Sequence, residues 1–499
     1  MKRIGLFVLT VLAGASVVLP ADAQTSSPVQ VSSDPYTNPE SMHQTQVEPD
    51  TFAVGEAVLS AFMVGRTDGG SSNIGWAYSG DAGLTWTSGF LPQMTIHSTP
   101  SGEATRVADP SVVFDAAHGV WLINSLAIAV RDRVESAIVV SRSPDGLNWE
   151  PPRFVADYKA VEARDKNWIT CDNSPTSPHY GNCYVAWTNF LAGGVMEISR
   201  SSDGGRTWSV PVRPEGEPSG FGVQPIVQPD GTVVVVALSR LQQSIHAVRS
   251  TDGGLSFGPR ARISEVRFRG PPGYRNNAFP SVEVDRAGRI YAVWQDCRFR
   301  NLCLDSGNDT VISTSDDGVD WSPVRAIKPA APPRGAGAAA VPEGADYLQP
   351  GVAVDPTSSG SEARLGLYFF YSDSPCGTFS SCRLNVGFTT SVDGGQSWRS
   401  AIRLNKSPMP FNWISLSNTG RMIGDYISAS FAGGRVVSVY PLAEAPAADG
   451  SYRQAMHATS LDVGAGPPGS PSRGPEDPGG LLGLVSDLLT LLLQLLPSL

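Results

Sequence analysis

The strongest constraint on this chain is a short turn sequence written six times. It reads SGDAGLTW at residues 79–86, SPDGLNW at 143–149, SSDGGRTW at 201–208, STDGGLSF at 250–257, SDDGVDW at 315–321 and SVDGGQSW at 391–398. Recurrence at a spacing of roughly 50 to 75 residues marks one supersecondary unit used repeatedly, each copy burying its apolar face against its neighbours. A repeat array therefore implies one large domain, where 499 residues alone would suggest about three.

Upstream of each turn lies a second pattern: a polar start, an apolar strand, a tight turn and another apolar strand. It occurs at 50–63, 109–124, 168–187, 225–238, 279–294, 349–371 and 426–440. The first six copies run on into a third strand, the Ser-x-Asp turn and a fourth strand, whereas the last, ending near Leu461, lacks the turn. With 52 glycines, 40 prolines and only 17% charged residues, the composition is that of many strands joined by tight turns. The expected fold is all-β: four-stranded antiparallel blades arranged as a β-propeller, which leaves only short protected strand edges. Seven units imply seven blades, or six if the first and last share one.

The turn motif has a structural reading. An Asp carboxylate accepts hydrogen bonds from N–H groups of its own turn, glycine supplies positive φ, and the closing Trp or Phe is expected to bury between blades. Asp81, Asp145, Asp203, Asp252, Asp317 and Asp393 are thus fasteners rather than catalysts. The turns also lack the alternating carboxylates of a calcium loop.

The N-terminus carries Lys2 and Arg3, an apolar run over residues 4–18 and the sequence Ala-Asp-Ala at 21–23. That pattern is a secretory signal peptide over 1–23, too short for a comfortable membrane span. Export places the six cysteines in an oxidising compartment, where Cys171 with Cys183, Cys297 with Cys303 and Cys376 with Cys382 are expected to staple loops. No Cys-x-x-Cys or clustered His argues for a metal. Residues 24–43 read as an N-terminal extension, 44–463 as the propeller, 464–480 as a Gly/Pro/Ser linker and 481–499 as a Leu-rich helix. That helix is expected to dock on a membrane surface, a second copy or the propeller itself. The net charge of −10 excludes a nucleic-acid partner, and an acidic ligand would need a local basic cluster.

The six turns resemble the Asp boxes, or BNR repeats, of the sialidase superfamily, over roughly residues 44–461. The resemblance implies a sialidase-like propeller. Its members include sialidases, other glycosidases, and receptors and assembly factors without hydrolytic activity. In sialidases an arginine triad binds the substrate carboxylate, a Tyr supported by Glu is the nucleophile and an Asp is the acid/base. The first arginine lies in a Phe/Tyr-Arg-Ile-Pro motif. This chain has no Arg-Ile-Pro, and its corresponding strand start reads VEPDTF at 47–52.

If the first strand of each unit lines the central channel, its start shares a face with the end of the second strand, opposite the Asp turns. That face collects Glu48, Arg66, Arg106, Lys166, Trp168, Gln224, Asn277, Gln349 and others. From it, Asp50 or Asp109 is the candidate acid/base, and Tyr426 or Tyr347 the nucleophile or ligand contact. Arg106, Arg275 and Arg298 form the candidate anion clamp. Arg66, Lys166, Trp168, Asp296 and Asp425 complete the binding set. The expected function is an exported glycosidase acting on glycans without a cofactor, the other reading being a non-catalytic propeller that binds glycan or protein there.

Overall fold

The computed structural model describes residues 27–132, 134–158, 163–303, 307–332 and 340–463. The stretches read from sequence as signal peptide, linker and Leu-rich helix lie outside the described residues. Among those described, the chain is built of strands with a few single 3-10 turns and contains no α-helix.

Successive antiparallel sheets follow one another along the chain. Their innermost strands are Gln46–Val54, Arg106–Asp115, Arg164–Cys171, Phe221–Val227, Ser281–Val284, Asp346–Val354 and Ser428–Ala432. Each sheet steps outward by hairpins, as in the order Phe221–Val227, Val233–Leu238, Ser244–Ser250, Ala261–Glu265. The sheet that starts at Arg164 has three strands, with the isolated Ile198–Val212 and Val195–Ser219 bridges in place of the fourth. The last sheet takes its fourth strand from the other end of the chain: Val29–Gln30 pairs antiparallel with Arg453–Asp462. Residues 29–30, read from sequence as part of an extension, thus complete a propeller sheet.

The Asp turns fasten these sheets as the sequence implies. In the first, Asp81 accepts hydrogen bonds from Ser79 Oγ at 2.8 Å, Thr85 N at 2.8 Å and Thr85 Oγ1 at 2.6 Å, while Ser79 Oγ accepts from Gly83 N at 2.9 Å. The other five repeat the Ser–Asp bond at 2.7–3.1 Å. The burial expected of the closing aromatics holds only for Phe257 and Trp398; Trp86, Trp149, Trp208 and Trp321 are half-buried. The indole N–H of Trp86, Trp321 and Trp398 alike turns back to the carbonyl of Gly83, Gly318 and Gly395 in its own turn, so this bond does not set the difference in burial.

Around the axis, side chains of one inner strand accept backbone N–H groups of the next. Asp50 accepts Val112 N, Ser111 accepts Ile169 N, Gln224 accepts Val282 N, Ser281 accepts Val352 N and Ser428 accepts Thr51 N, at 2.8–3.2 Å. The final bond joins the last sheet to the first. This belt gives buried inner-strand amides the partners that sheet pairing cannot supply. It also gives Asp50 a structural duty, since serine or glutamine does the same work at matching positions.

The three expected cysteine pairs form disulfides. Cys171 and Cys183 face each other across a hairpin. The other two follow the ends of second strands, on the face where inner strands begin.

Candidate functional site

Two residues above the belt, the inner strands share an irregularity. Register shifts interrupt pairing between Val47 and Asp50, Ala108 and Ser111, Asp165 and Trp168, Phe221 and Gln224, and Leu348 and Gly351. At these bulges Glu48, Asp109, Lys166 and Gln349 adopt φ of 56°, 49°, 53° and 45°. Left-handed backbone at non-glycine residues costs free energy and clusters where a site must be aimed. Here the bulges turn charged side chains toward the propeller axis.

Lys166 is the hub. Its Nζ lies 2.6 Å from Asp109 Oδ1, 2.7 Å from Asp425 Oδ2 and 3.6 Å from Glu48 Oε1. Arg275 forks onto Asp425, with Nε 2.9 Å from Oδ1. Arg66 lies near Glu48, Arg275 and Asp425 and donates to the Leu416 carbonyl. Lys166, Glu48, Asp109 and Asp425 are all buried, whereas the Arg275 side chain is 22% exposed. Gln349 Oε1 accepts the Tyr274 hydroxyl at 2.7 Å. Trp168 meets the Tyr426 ring edge-on at 5.0 Å, and the Tyr426 hydroxyl donates to the Pro110 carbonyl at 2.9 Å.

Burial and neighbours pull these groups apart in acidity. Burial, assisted by Asp109 and Asp425, pushes the Glu48 carboxyl up to about 8, and its Oε1 has no hydrogen-bond partner. Burial also raises Asp425, but Lys166 and Arg275 outweigh it and hold that carboxyl well below the usual range. Asp109 is likewise lowered, burial being overcome by Lys166 and by a hydrogen bond from Asp165. Asp165 is pushed up to about 7 by burial and then by Asp109. Burial and the surrounding carboxylates keep the Tyr426 phenol protonated. The site thus sets Glu48 and Asp165, both raised toward or above neutrality, beside Asp109 and Asp425, which are held ionised, a separation of acid and base roles.

Asp50 lies one layer further in and is pushed up to about 7 by burial. Below it, burial and then Asp50 push Glu283 up to about 8. A central cavity of about 90 Å³ runs between Asp109, Trp168, Tyr426 and Glu283. It admits a few waters but is well short of the roughly 300 Å³ of a small-molecule pocket. A wider opening of about 520 Å³ lies beyond Glu283, lined by Phe52, Asn173, Gln228, Arg286 and Phe431, on the side of the first hairpin turns.

Of the candidates read from sequence, Asp109, Lys166, Trp168, Arg275, Asp425, Tyr426 and Arg66 come together. Arg106 and Arg298 do not join them: Arg106 donates to the Asp68 carbonyl at 3.1 Å, and Arg298 pairs with Asp296 at 2.6 Å. Asp296 is occupied by Arg298 and by the Trp294 indole at 3.2 Å. The clamp of Arg106, Arg275 and Arg298 is therefore not assembled, because Arg106 and Arg298 are held by partners outside the cluster around Lys166. Tyr347 packs on Phe369 at 4.9 Å in an apolar cluster. Asp165 and Glu283 were missed. Proline follows the bulge residue at Pro49, Pro110 and Pro350 and marks those three bulges, but Asn167 stands at that place beside Asp165 and no proline flags it.

Comparison with known proteins bears on the fold. No curated protein matches the sequence. Among solved structures, the intramolecular trans-sialidase of Ruminococcus gnavus is 13% identical over 72% of this chain and 94% of that one, with a TM-score of 0.45. A leech intramolecular trans-sialidase is 12% identical over 70% and 68%, with a TM-score of 0.44. An α-L-arabinofuranosidase of Fusarium graminearum is 14% identical over 88% and 98%, also at 0.44. The model of the BNR repeat-like domain matches residues 132–442, most of the chain and five of the six Asp turns in full. On that match the chain belongs to the BNR repeat-like domain family.

Proposed function

We propose that the protein is an exported, seven-bladed propeller that hydrolyses glycosides at the face where its inner strands begin. The observation that carries this reading is the Asp109–Asp165 pair at the bulges around Lys166: Asp109, on left-handed backbone, is held ionised, and half-buried Asp165, next to the bulge residue Lys166, is pushed up to about 7. Asp165 donates the proton to the departing glycosidic oxygen. Asp109, held ionised by Lys166 and hydrogen-bonded to Asp165, stabilises the positive charge that develops on the sugar, and the attacking water gives its proton back to Asp165. The half-exposed rings of Trp168 and Tyr426 offer a face for the sugar. Tyr426 serves as a contact and not as a nucleophile, because its proton has only the Pro110 carbonyl to go to. The cavity below is too small for a sugar, so the substrate sits above it, at the mouth. Seven innermost strands support the blade count, and three disulfides support export.

A second reading, a glycan-binding propeller without turnover, is favoured by one observation: Lys166 and Arg275 are already engaged by carboxylates and leave little positive charge free. A panel of aryl sialosides, uronides and neutral glycosides separates the two. Hydrolysis of one member, with kcat/KM reduced about 10² to 10⁴-fold in Asp165→Asn and Asp109→Asn, supports the enzyme. Glycan binding without turnover of any member supports the binder.

A further inference from the structure

The acidic chain carries one basic strip. Between residues 260 and 269 stand Arg260, Arg262, Arg267 and Arg269 against the single acid Glu265, in a protein of net charge −10. The strip includes Ala261–Glu265, the outermost strand of its sheet, and continues onto the face where inner strands begin. Alternation along the strand turns Ile263 into the core while Arg262 stays exposed. Glu265 pairs with Arg262 at 2.6 Å, and both side chains are 62% exposed. Arg260 and Arg267 are exposed and have no ion pair among the described residues.

These guanidinium groups border a cavity of about 440 Å³, within the usual range for a ligand site. Its remaining wall carries Ser219, Ser239, Gln243, Ser244, Val266 and the Glu265 carboxylate that pairs with Arg262, with Leu241 standing 75% exposed at the edge. The wall is braced. The Cys297 amide donates to the Arg267 carbonyl at 2.7 Å, Arg298 donates to the Glu265 carbonyl, and the Cys297–Cys303 disulfide closes that loop. Binding groups held in this way lose little freedom when a ligand arrives.

We propose that this groove binds a chain of an anionic polysaccharide, its carboxylate or sulfate groups taken by Arg260, Arg262 and Arg267. Guanidinium forks match planar or tetrahedral oxyanions with paired hydrogen bonds. The serine hydroxyls and Gln243 suit sugar hydroxyls, and Leu241 suits the apolar edge of a ring. A narrow groove on an acidic body admits one polysaccharide strand, whereas a broad anionic surface such as a bilayer or a nucleic-acid duplex meets repulsion from the rest of the protein. The site lies outside the central channel and requires no turnover there.

The test measures binding of the full-length protein to polygalacturonate and to heparin, probes of carboxylate and sulfate chemistry, by calorimetry at several salt concentrations. The inference requires that one polymer binds, that binding weakens as salt rises, and that the R260A/R262A/R267A variant binds at least about tenfold more weakly. Arg153→Gln, on another sheet, is expected to bind as the parent does, and an unchanged unfolding midpoint shows that the triple variant is folded. Whichever polymer binds identifies the anionic group. Failure of both polymers, equal loss in Arg153→Gln, or equal affinity for phosphatidylserine vesicles or single-stranded DNA would overturn the inference. The glycosidase reading is tested independently, because Asp165→Asn leaves this groove untouched.

Discussion

Glu48 shows how far one residue departs from the behaviour its sequence implies. A glutamate at the start of a strand reads as a wet, ionised surface group, yet this one is 1% exposed, carries an unpartnered oxygen and has its carboxyl pushed up to about 8. Asp50, at about 7, and Glu283, at about 8, are raised alongside it, all three first by burial. An acid whose folded pKa lies above its unfolded value binds a proton more tightly when folded. Its stabilisation is complete below the unfolded values of 3.8 for Asp and 4.5 for Glu, and is lost as pH rises through the folded pKa. Asp81, Asp203 and Asp252 act in the opposite sense. Their turn hydrogen bonds outweigh burial and hold them at about 2, so their contribution fades as pH falls toward that value. Thermal midpoints measured from pH 4 to 9 are expected to peak near the acidic end and to decline between about pH 5 and 8. In Glu48→Gln that decline is shallower. Parallel curves for parent and variant would contradict the role assigned to Glu48.

At the scale of the element, the Asp turn does two jobs: it closes its own hairpin and leans on the preceding sheet. Gly83 shows the second. It sits at φ +82°, and a Cβ there would stand 2.7 Å from Val437 of the last sheet. Gly119 has a similar φ of +61° and open space around it. Gly119→Ala is therefore expected to cost only the backbone strain, about 1 to 2 kcal/mol, while Gly83→Ala adds overpacking of about 1 to 3 kcal/mol. Urea unfolding of both variants gives the difference, and equal losses would remove the docking role. The turns were legible in sequence because their chemistry is local: Ser, Asp and Gly at fixed offsets make bonds within a few residues of one another. The bulges were less so. Asp109 was placed on the correct face, and Pro110 marked its bulge, but its partner Lys166 is 57 residues away and no short-range pattern couples them. Asp165 was missed for the same reason, since its raised pKa comes from burial against Asp109. Arg106 and Arg298 were over-read, because a strand-end position gives the face of a residue but not the direction of its side chain.

The whole molecule is held closed at one joint, where the chain ends meet. Val29–Gln30 pairs with Arg453–Asp462, the Val31 amide donates to the Met456 carbonyl at 2.9 Å, and the Met456 amide donates to Ser32 Oγ at 2.9 Å. Val31 is buried among Phe62 and Val64 of the first sheet and Val439 and Met456 of the last, so it packs across the joint. The axial belt adds Ser428 to Thr51, and the Gly433 amide adds a bond to the Gly55 carbonyl at 2.9 Å. Both sets of contacts link sequence positions some four hundred residues apart, for example 424 for Ser32 and Met456. Such closure costs chain entropy that only a completed ring recovers. A chain beginning at residue 34 loses the strand, about 1.5 to 3 kcal/mol of Val31 burial and about 1 kcal/mol for each backbone bond. The loss is expected to be local. Hydrogen exchange should accelerate at the amides of Met456 and of the strands beside the joint, while the Phe221–Val227 and Val233–Leu238 hairpin across the ring keeps its protection. Uniform acceleration in every sheet would mean that the N-terminal strand supports the propeller as a whole, and unchanged exchange would mean that the belt alone closes it.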